Sequence, residues 1–317
     1  MEPTVVVAHN AVAPGADPST QDVESQAQLV LAALEELGVA CCRQAVRDPA
    51  TAALPGGVVF NLVEAAPGDP EPPLRFVERL EAAGIRFTGS GSAALRLSTD
   101  KLACKRHLEN RGLPVAPGER YTPPTPGVPG PWILKPAQED ASLGLEGNPL
   151  CTTEEQLARR AAALRERFPG QELVVETFLP GREFNVSLLQ DRRGFRVLPV
   201  AEIRFLPAPG FVPLVSYEAK WCPGSLADRC TVRVFPDPRE ALVAQVASLA
   251  VAAVEACGLR GYARVDLRCD AEGQPRILEV NANPCLSPEA GFMAAAKRAG
   301  LAPREVVAAI LEAAEAP

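Results

Sequence analysis

The chain has 317 residues, 47% of them hydrophobic and 22% charged, enough for a large core and too apolar for a disordered chain. A net charge of −7 disfavours a nucleic-acid partner, because neutralising phosphates takes a basic surface. No apolar run approaches a membrane span and no Lys or Arg precedes Arg43, so the sequence predicts neither a signal peptide nor a membrane segment and points to the cytoplasm.

In chain order, the first ninety or so residues alternate strand and helix, which implies a parallel sheet. "TVVVA" (4–8) reads as a short buried strand. "QDVESQAQLVLAALEELG" (21–38) places Val23, Ala27, Val30, Leu34 and Leu37 on one helical stripe, with Gly38 as the stop. "GGVVFNLVEAA" (56–66) is a second strand and "PPLRFVERLEAAGI" (72–85) a second helix. "STDKLACKRHLENRGLP" (98–114) opens a new segment as a helix capped by Ser98 or Thr99 and ended by Gly112. The Pro-rich stretch 115–131 reads as loop, "WILKPA" (132–137) as a strand, and "QEDASLGLEG" (138–147) as a polar loop of small residues. A helix with a capping-box start (152–168) and the strand "ELVVETFL" (172–179) follow. Strands are predicted at "REFNVSLL" (182–189) and "FRVLPVAEI" (195–203), then a long loop through Trp221, a helix near 239–257, a hairpin at 263–284 and two Ala-rich helices.

Nine scattered cysteines without C-x-x-C, and only His9 and His107 as imidazoles, predict reduced and mostly buried thiols rather than a zinc site.

The hairpin "ARVDLRCDAEGQPRILEVNANP" carries the clearest chemistry. Alternation puts Arg264 and Asp266 on one face, Glu279 and Asn281 on one face of the partner strand, and Val265, Leu267, Leu278 and Val280 on the core side. With Glu272-Gly273 as the turn, Asp266 falls opposite Glu279 and Arg264 opposite Asn281. Facing carboxylates repel unless a cation lies between them, and two carboxylates with an amide oxygen suit Mg²⁺ beside phosphate oxygens. The alternative is an edge hairpin with a solvated polar face. Periodicity leaves both open, and Asn283-Pro284 ending a strand with apolar residues behind every acid favours the metal.

Lys135 ends a strand just before a loop whose Ala141, Ser142 and Gly144 would let backbone N–H groups approach an anion. Lys101 lies in the first turn of its helix, where a solvated surface lysine is the ordinary reading. Lys220, in "VSYEAKW" after a Pro-rich loop, could close over a site.

Five segments in order, "FTGSGSAALRLSTDK", "WILKPAQEDASLGL", "VVETFLPGREFNVSLL", "SYEAKW" and "ARVDLRCD…ILEVNANP", resemble the ATP-grasp superfamily, most closely its D-alanine–D-alanine ligase-like branch. The resemblance spans about residues 85–285. It implies an α/β ATP-grasp fold, with an N-terminal parallel α/β layer at 1–94, a central α+β subdomain at 95–179 and a C-terminal one at 180–317 that together grip ATP. It implies that Lys101 and Lys135 contact the nucleotide phosphates. Glu176, with the backbone near Phe178 and Leu179, would hold the adenine, and Glu183 the ribose. Ser142 and its loop would close over the phosphates, Lys220 reaching them from another loop. Asp266, Glu279 and Asn281 would bind Mg²⁺ (two ions, Mn²⁺ being an alternative), and Arg264 would face an acyl phosphate. The implied reaction is ATP-dependent joining of a carboxylate to an amine, with amino acids or amino-acid-like molecules as substrates. It needs no enzyme nucleophile, in keeping with the lack of a Ser-His-Asp or Cys-His arrangement. An authentic D-alanine–D-alanine ligase and an ATP-dependent phosphotransferase on the same fold are the competing expectations. Related ligases are often dimers, which suggests a homodimer.

The substrate side departs from the D-alanine–D-alanine pattern. Ala141 stands where the first loop serine would be, Trp221 replaces the tyrosine after the lysine matching Lys220, and "AHNAVAPGADPSTQDVE" replaces a Gly-rich signature. After "NANP" the chain reads "CLSPEAGF", without the family's Gly-Met-Thr and following Ser. A donor other than D-alanine is therefore expected, with Glu24 as the acid nominated for its amine.

Overall fold

The computed structural model describes residues 5–54 and 56–314; Thr4, at the head of the expected first strand, lies outside the described residues. Three sheets follow one another along the chain. The first contains β1 (Val5–Asn10), β2 (Cys41–Val46) and β3 (Val58–Leu62), all parallel in the order β2-β1-β3, with α1 (Pro18–Glu36) connecting β1 to β2 and α2 (Glu71–Ala82) following β3. Asp17 caps α1 by accepting from the backbone of Ser19 and Thr20, so the helix starts at Pro18, three residues earlier than expected. Val23, Ala27, Val30 and Leu34 are buried as the stripe predicts, but Leu37 is exposed, because it is the C-cap residue. The strand expected over 56–66 is confined to β3, and β2 is an addition to the sequence reading.

Two helices follow, α3 (Ser92–Thr99) and α4 (Lys101–Glu109). Ser98 and Thr99 end α3 and do not cap α4; Asp100 does, accepting from Leu102 and Ala103 at 3.0 and 2.9 Å.

The second sheet is antiparallel, in the order β4-β7-β5-β6, built from β4 (Gly118–Arg120), β5 (Trp132–Pro136), β6 (Leu150–Cys151) and β7 (Leu173–Thr177), with α5 (Glu154–Arg167) on one face. Thus the Pro-rich stretch is not all loop: Gly118–Arg120 pairs with the edge of β7. Thr153 caps α5, while Gln156 returns its bond to Thr152 rather than to the cap residue itself.

The third sheet contains β8 (Glu183–Asp191), β9 (Gly194–Val197), β10 (Ala201–Phe205), β11 (Thr231–Val234), β12 (Tyr262–Cys269) and β13 (Pro275–Ala282), all antiparallel. The expected strand 195–203 is two strands, broken around Pro199, which has no N–H to donate. The long loop holds two short helices, α6 (Tyr217–Trp221) and α7 (Leu226–Cys230). Val246, Ala250, Ala253 and Val254 of α8 (Ala241–Ala256) pack with Phe184, Val186, Val265 and Val280 of the sheet, and Cys104 and Leu108 of α4 join that core. The closing helices α9 (Gly291–Arg298) and α10 (Pro303–Glu312) pack back onto α1 and β1 through Phe292, Val306 and Ile310. One face of the third sheet, α4 and the second sheet meet at a common cleft, where Lys101 of α4 and Lys135 of β5 both reach Glu279 of β13.

Among the described residues no helix is long and apolar enough to cross a membrane. All nine cysteines are free thiols, five of them buried.

Candidate active site

β8, β12 and β13 line up their polar residues in two rows on one face. Asn185, Asp266 and Glu279 are direct neighbours across the three strands, and so are Ser187, Arg264 and Asn281. The opposite face carries Val186, Val265 and Val280, all buried. The predicted pairings of Asp266 with Glu279 and of Arg264 with Asn281 are present. Beyond them the register slips, so that Leu267 faces Ile277 and Leu278 is the extra residue. Ile277, not Leu278, is therefore the buried one, and the turn is wider than Glu272-Gly273, running from Asp270 to Gln274.

Asp266 is held on both oxygens. Arg264 Nε and Nη2 donate to Oδ1 and Oδ2 at 2.8 and 2.9 Å, Asn185 donates to Oδ1 at 2.8 Å, and Asn281 Nδ2 donates to Oδ2 at 3.1 Å. The Asn281 amide oxygen is left facing away from that bond. Glu279 Oε1 lies 3.4 Å from both Lys101 Nζ and Lys135 Nζ, which come from α4 and β5. Burial by itself would raise the Glu279 pKa, but Lys101, Lys135, Lys220 and Arg264 outweigh it and hold the carboxyl well below its usual range.

Lys101 is buried, against the surface-lysine reading, and donates to the Glu139 carbonyl at 2.5 Å. Lys135 lies between Glu176, at 2.9 Å, and Glu279. Two carboxylates thus offset the burial that would otherwise discharge its ammonium, and its pKa is raised. Glu176 meets a further lysine on its other oxygen: Lys105 Nζ, at 2.8 Å.

At the far end of the cleft, Glu183 receives Arg268 Nη1 at 3.0 Å, and the Arg268 guanidinium lies over the rings of Phe178 and Phe205 at 4.7 and 5.1 Å. Burial lifts Glu183 to about 7 even with Arg268 beside it. The Phe178 N–H donates to the Pro131 carbonyl, and Leu179 is buried next to it.

The two loops over the cleft touch each other. Ser142 Oγ donates to the Val215 carbonyl at 3.0 Å, Trp221 Nε1 to the Ala141 carbonyl at 3.1 Å, and the Gly147 N–H to the Glu218 carboxylate at 2.9 Å. Ala141 and Ser142 both have positive φ, 55° and 64°. Lys220 is exposed at the rim, in the electrostatic range of Arg264, Asp266 and Glu279. Behind the hairpin, the Asn283 side chain accepts from the Ser90 N–H at 2.9 Å, and a Cβ on Gly89 would fall 2.3 Å from it, so the "TGSG" turn needs glycine there.

Lys101, Lys135, Glu176 and Glu279 therefore form one ion-pair network, and Arg264, Asp266 and Asn281 a second set beside it on the hairpin. Glu183, Arg268 and Phe178 form a third group, and Ser142 and Lys220 sit on the covering loops. Glu24 is not brought into it: Glu24 pairs with Arg43, whose Nε also bonds His9. The acids near the C-terminal segment are instead Asp22, which accepts from Cys285 Sγ, and Glu64, which accepts from Gln26 at 2.8 Å. Lys105, Asn185 and Arg268 escaped the sequence reading. Each had a signal: Lys105 is one helical turn from Lys101, Arg268 keeps the alternation of Arg264 and Asp266, and Asn185 keeps that of Glu183 and Ser187.

Among the described residues no three Asp, Glu, His or Cys side chains form a ready-made metal cage. The donors of the hairpin are hard oxygens, two carboxylates and an amide, which fits Mg²⁺ completed by phosphate and water oxygens rather than an all-protein site.

The D-ala D-ala ligase C-terminus family matches residues 128–312. The chain is 33% identical over 263 residues to the D-alanine–D-alanine ligase of Thermotoga petrophila, covering 81% of this chain and 79% of that one. It is also 33% identical over 263 residues to the uncharacterized protein y4sG of Sinorhizobium fredii, covering 81% and 74%. In three dimensions it superposes on the D-alanine–D-alanine ligase of Bacillus anthracis with a TM-score of 0.75 at 19% identity, over 98% of this chain and 96% of the other. The D-alanyl-alanine synthetase A of Vibrio cholerae gives 0.75 at 20% identity, over 98% of each chain.

Proposed function

Because this chain belongs to the D-alanine–D-alanine ligase family of ATP-grasp enzymes, we propose that it joins a carboxylate to an amine at the expense of ATP, through an acyl phosphate, with a donor other than D-alanine. The observation that carries the reading is the meeting of Lys101 and Lys135 with Glu279 between two separate sheets. Phosphate-type cations and metal-type oxygens are thereby set within one cleft.

In this reading Lys101 and Lys135 bind the nucleotide phosphates, and Asp266, Glu279 and Asn281 would hold Mg²⁺. The metal, when bound, neutralises charge that develops on the phosphoryl oxygens. Arg264, kept rigid by its two bonds to Asp266, faces the donor carboxylate as it attacks the γ-phosphate, and the same guanidinium stabilises the oxygen of the acyl phosphate when the amine attacks. The loops tied together by Ser142 and Trp221 exclude water from that intermediate. Phe178, Leu179, Glu183 and Arg268 line the end of the cleft assigned to adenosine.

The substrate reading rests on Ala141 and Trp221. Ala141 has no hydroxyl, and the Trp221 indole N–H is spent on the Ala141 carbonyl, so neither can join a hydrogen-bonded set around a small donor. The test is the purified protein with ATP, Mg²⁺ and D-alanine as sole amino acid. Little or no D-alanyl-D-alanine is expected. Efficient formation would assign the chain the activity named for its Thermotoga and Bacillus relatives.

A further inference from the structure

Glu176 is 4% exposed, and each of its oxygens is ion-paired with a different lysine: Lys105 Nζ at 2.8 Å from Oε1, without hydrogen-bond geometry, and Lys135 Nζ at 2.9 Å from Oε2. Lys105 is equally buried, at 4%, and also donates to the Ala116 carbonyl at 3.1 Å. The backbone is shaped around this trio. Gly118 of β4 lies opposite Glu176 of β7, and a Cβ there would come within 2.9 Å of Glu176 Cγ and 3.3 Å of Lys105 Cε.

A carboxylate so placed is not free to meet a nucleobase. Turning it toward one would strip Lys105 of the carboxylate that pairs it at a buried position, and a buried unpaired charge is strongly destabilising. Lys135, by contrast, needs Glu176. Its second carboxylate, Glu279, is the one that a metal would claim, and once Glu279 turns away Glu176 alone fixes the ammonium at the end of β5.

We infer that Glu176 is a positioning residue, anchored by Lys105, that holds Lys135 for the phosphates and does not read the base. The inference rests on the cleft being a nucleotide site, as proposed for this chain. Selection of adenine then falls to the backbone of 177–179 and the Arg268–Phe178 stack.

The test is calorimetric titration of ATP, GTP and tripolyphosphate, with Mg²⁺, into the wild type and into Glu176→Gln, Lys105→Met and Lys105→Arg. Loss of the Glu176 charge on Lys135, or of the lysine that anchors that carboxylate, should weaken all three ligands alike, about tenfold, in Glu176→Gln and Lys105→Met. The ATP-to-GTP ratio should not change, and Lys105→Arg should recover most of the affinity. A changed ATP-to-GTP ratio in Glu176→Gln with tripolyphosphate binding intact would overturn the inference, as would unaltered affinity for all three. If Lys105→Met does not fold, the near-isosteric Glu176→Gln decides on the same two quantities. A wild type that binds no ATP would overturn the nucleotide reading itself, an outcome distinct from either.

Discussion

Asp266 and Glu279 stand opposite each other across β12 and β13, yet each is neutralised from a different direction. Arg264, two residues back on the same strand, clamps Asp266, whereas Glu279 meets lysines from α4 and β5. Adjacent carboxylates that would repel in isolation are thus each faced by cations of their own, an arrangement that suits the shared Mg²⁺ of the proposed reading.

Glu279→Gln should lower Mg²⁺-dependent turnover about a hundredfold or more, since an electrostatic group at the reacting centre is lost. The fold should survive, because Lys101 keeps the Glu139 carbonyl and Lys135 keeps Glu176. Turnover and melting temperature measured on the same preparation check this. A large fall in melting temperature without nucleotide would mark Glu279 as a structural ion-pair partner instead.

The segment 206–222 is expected to tighten when nucleotide binds. It carries several irregular turns and one short helix, and meets the loop 138–147 through three hydrogen bonds. Hydrogen exchange across it should slow on adding ATP and Mg²⁺, and unchanged exchange would contradict its role as a lid.

Trp221→Phe keeps an aromatic ring but removes the N–H given to the Ala141 carbonyl. The closed loops should then leak water, raising the ratio of ADP released to amide formed. An unaltered ratio would show that this bond does not seal the cleft.

Burial lifts the Glu64 carboxyl to about 7, with the Gln26 bond opposing. Its folded pKa therefore exceeds the unfolded value of about 4.3, so the stability it contributes is complete below that pH and is lost as pH rises through about 7. The melting-temperature advantage of wild type over Glu64→Gln should accordingly shrink between about pH 5 and about pH 8. A difference that is constant, or grows, over that range would refute the assignment.

The hairpin was legible because a two-residue period fixes which side chains share a face, but the pairing of Asp266 with Glu279 comes from the wider turn and the bulge at Leu278 together. The slip at Leu278 was not, since a bulge leaves the hydrophobic pattern almost intact. β2 escaped because it is an edge strand with only Val46 buried, so its sequence carries no apolar alternation. Lys101 and Lys105 look like ordinary solvated helix residues, and only the sheet laid against α4 buries them. The location of Glu24 was beyond reach for a related reason: its partner Arg43 sits on that same unrecognised strand.

The most direct test is a screen of amino acids and dipeptides, singly and in pairs, with ATP and Mg²⁺, following ADP release and the mass of every product. At least one pair should release ADP and phosphate in step with a new amide. A phosphorylated product that accumulates without amide, or ATP turnover that no carboxylate–amine pair stimulates, would contradict the ligase account.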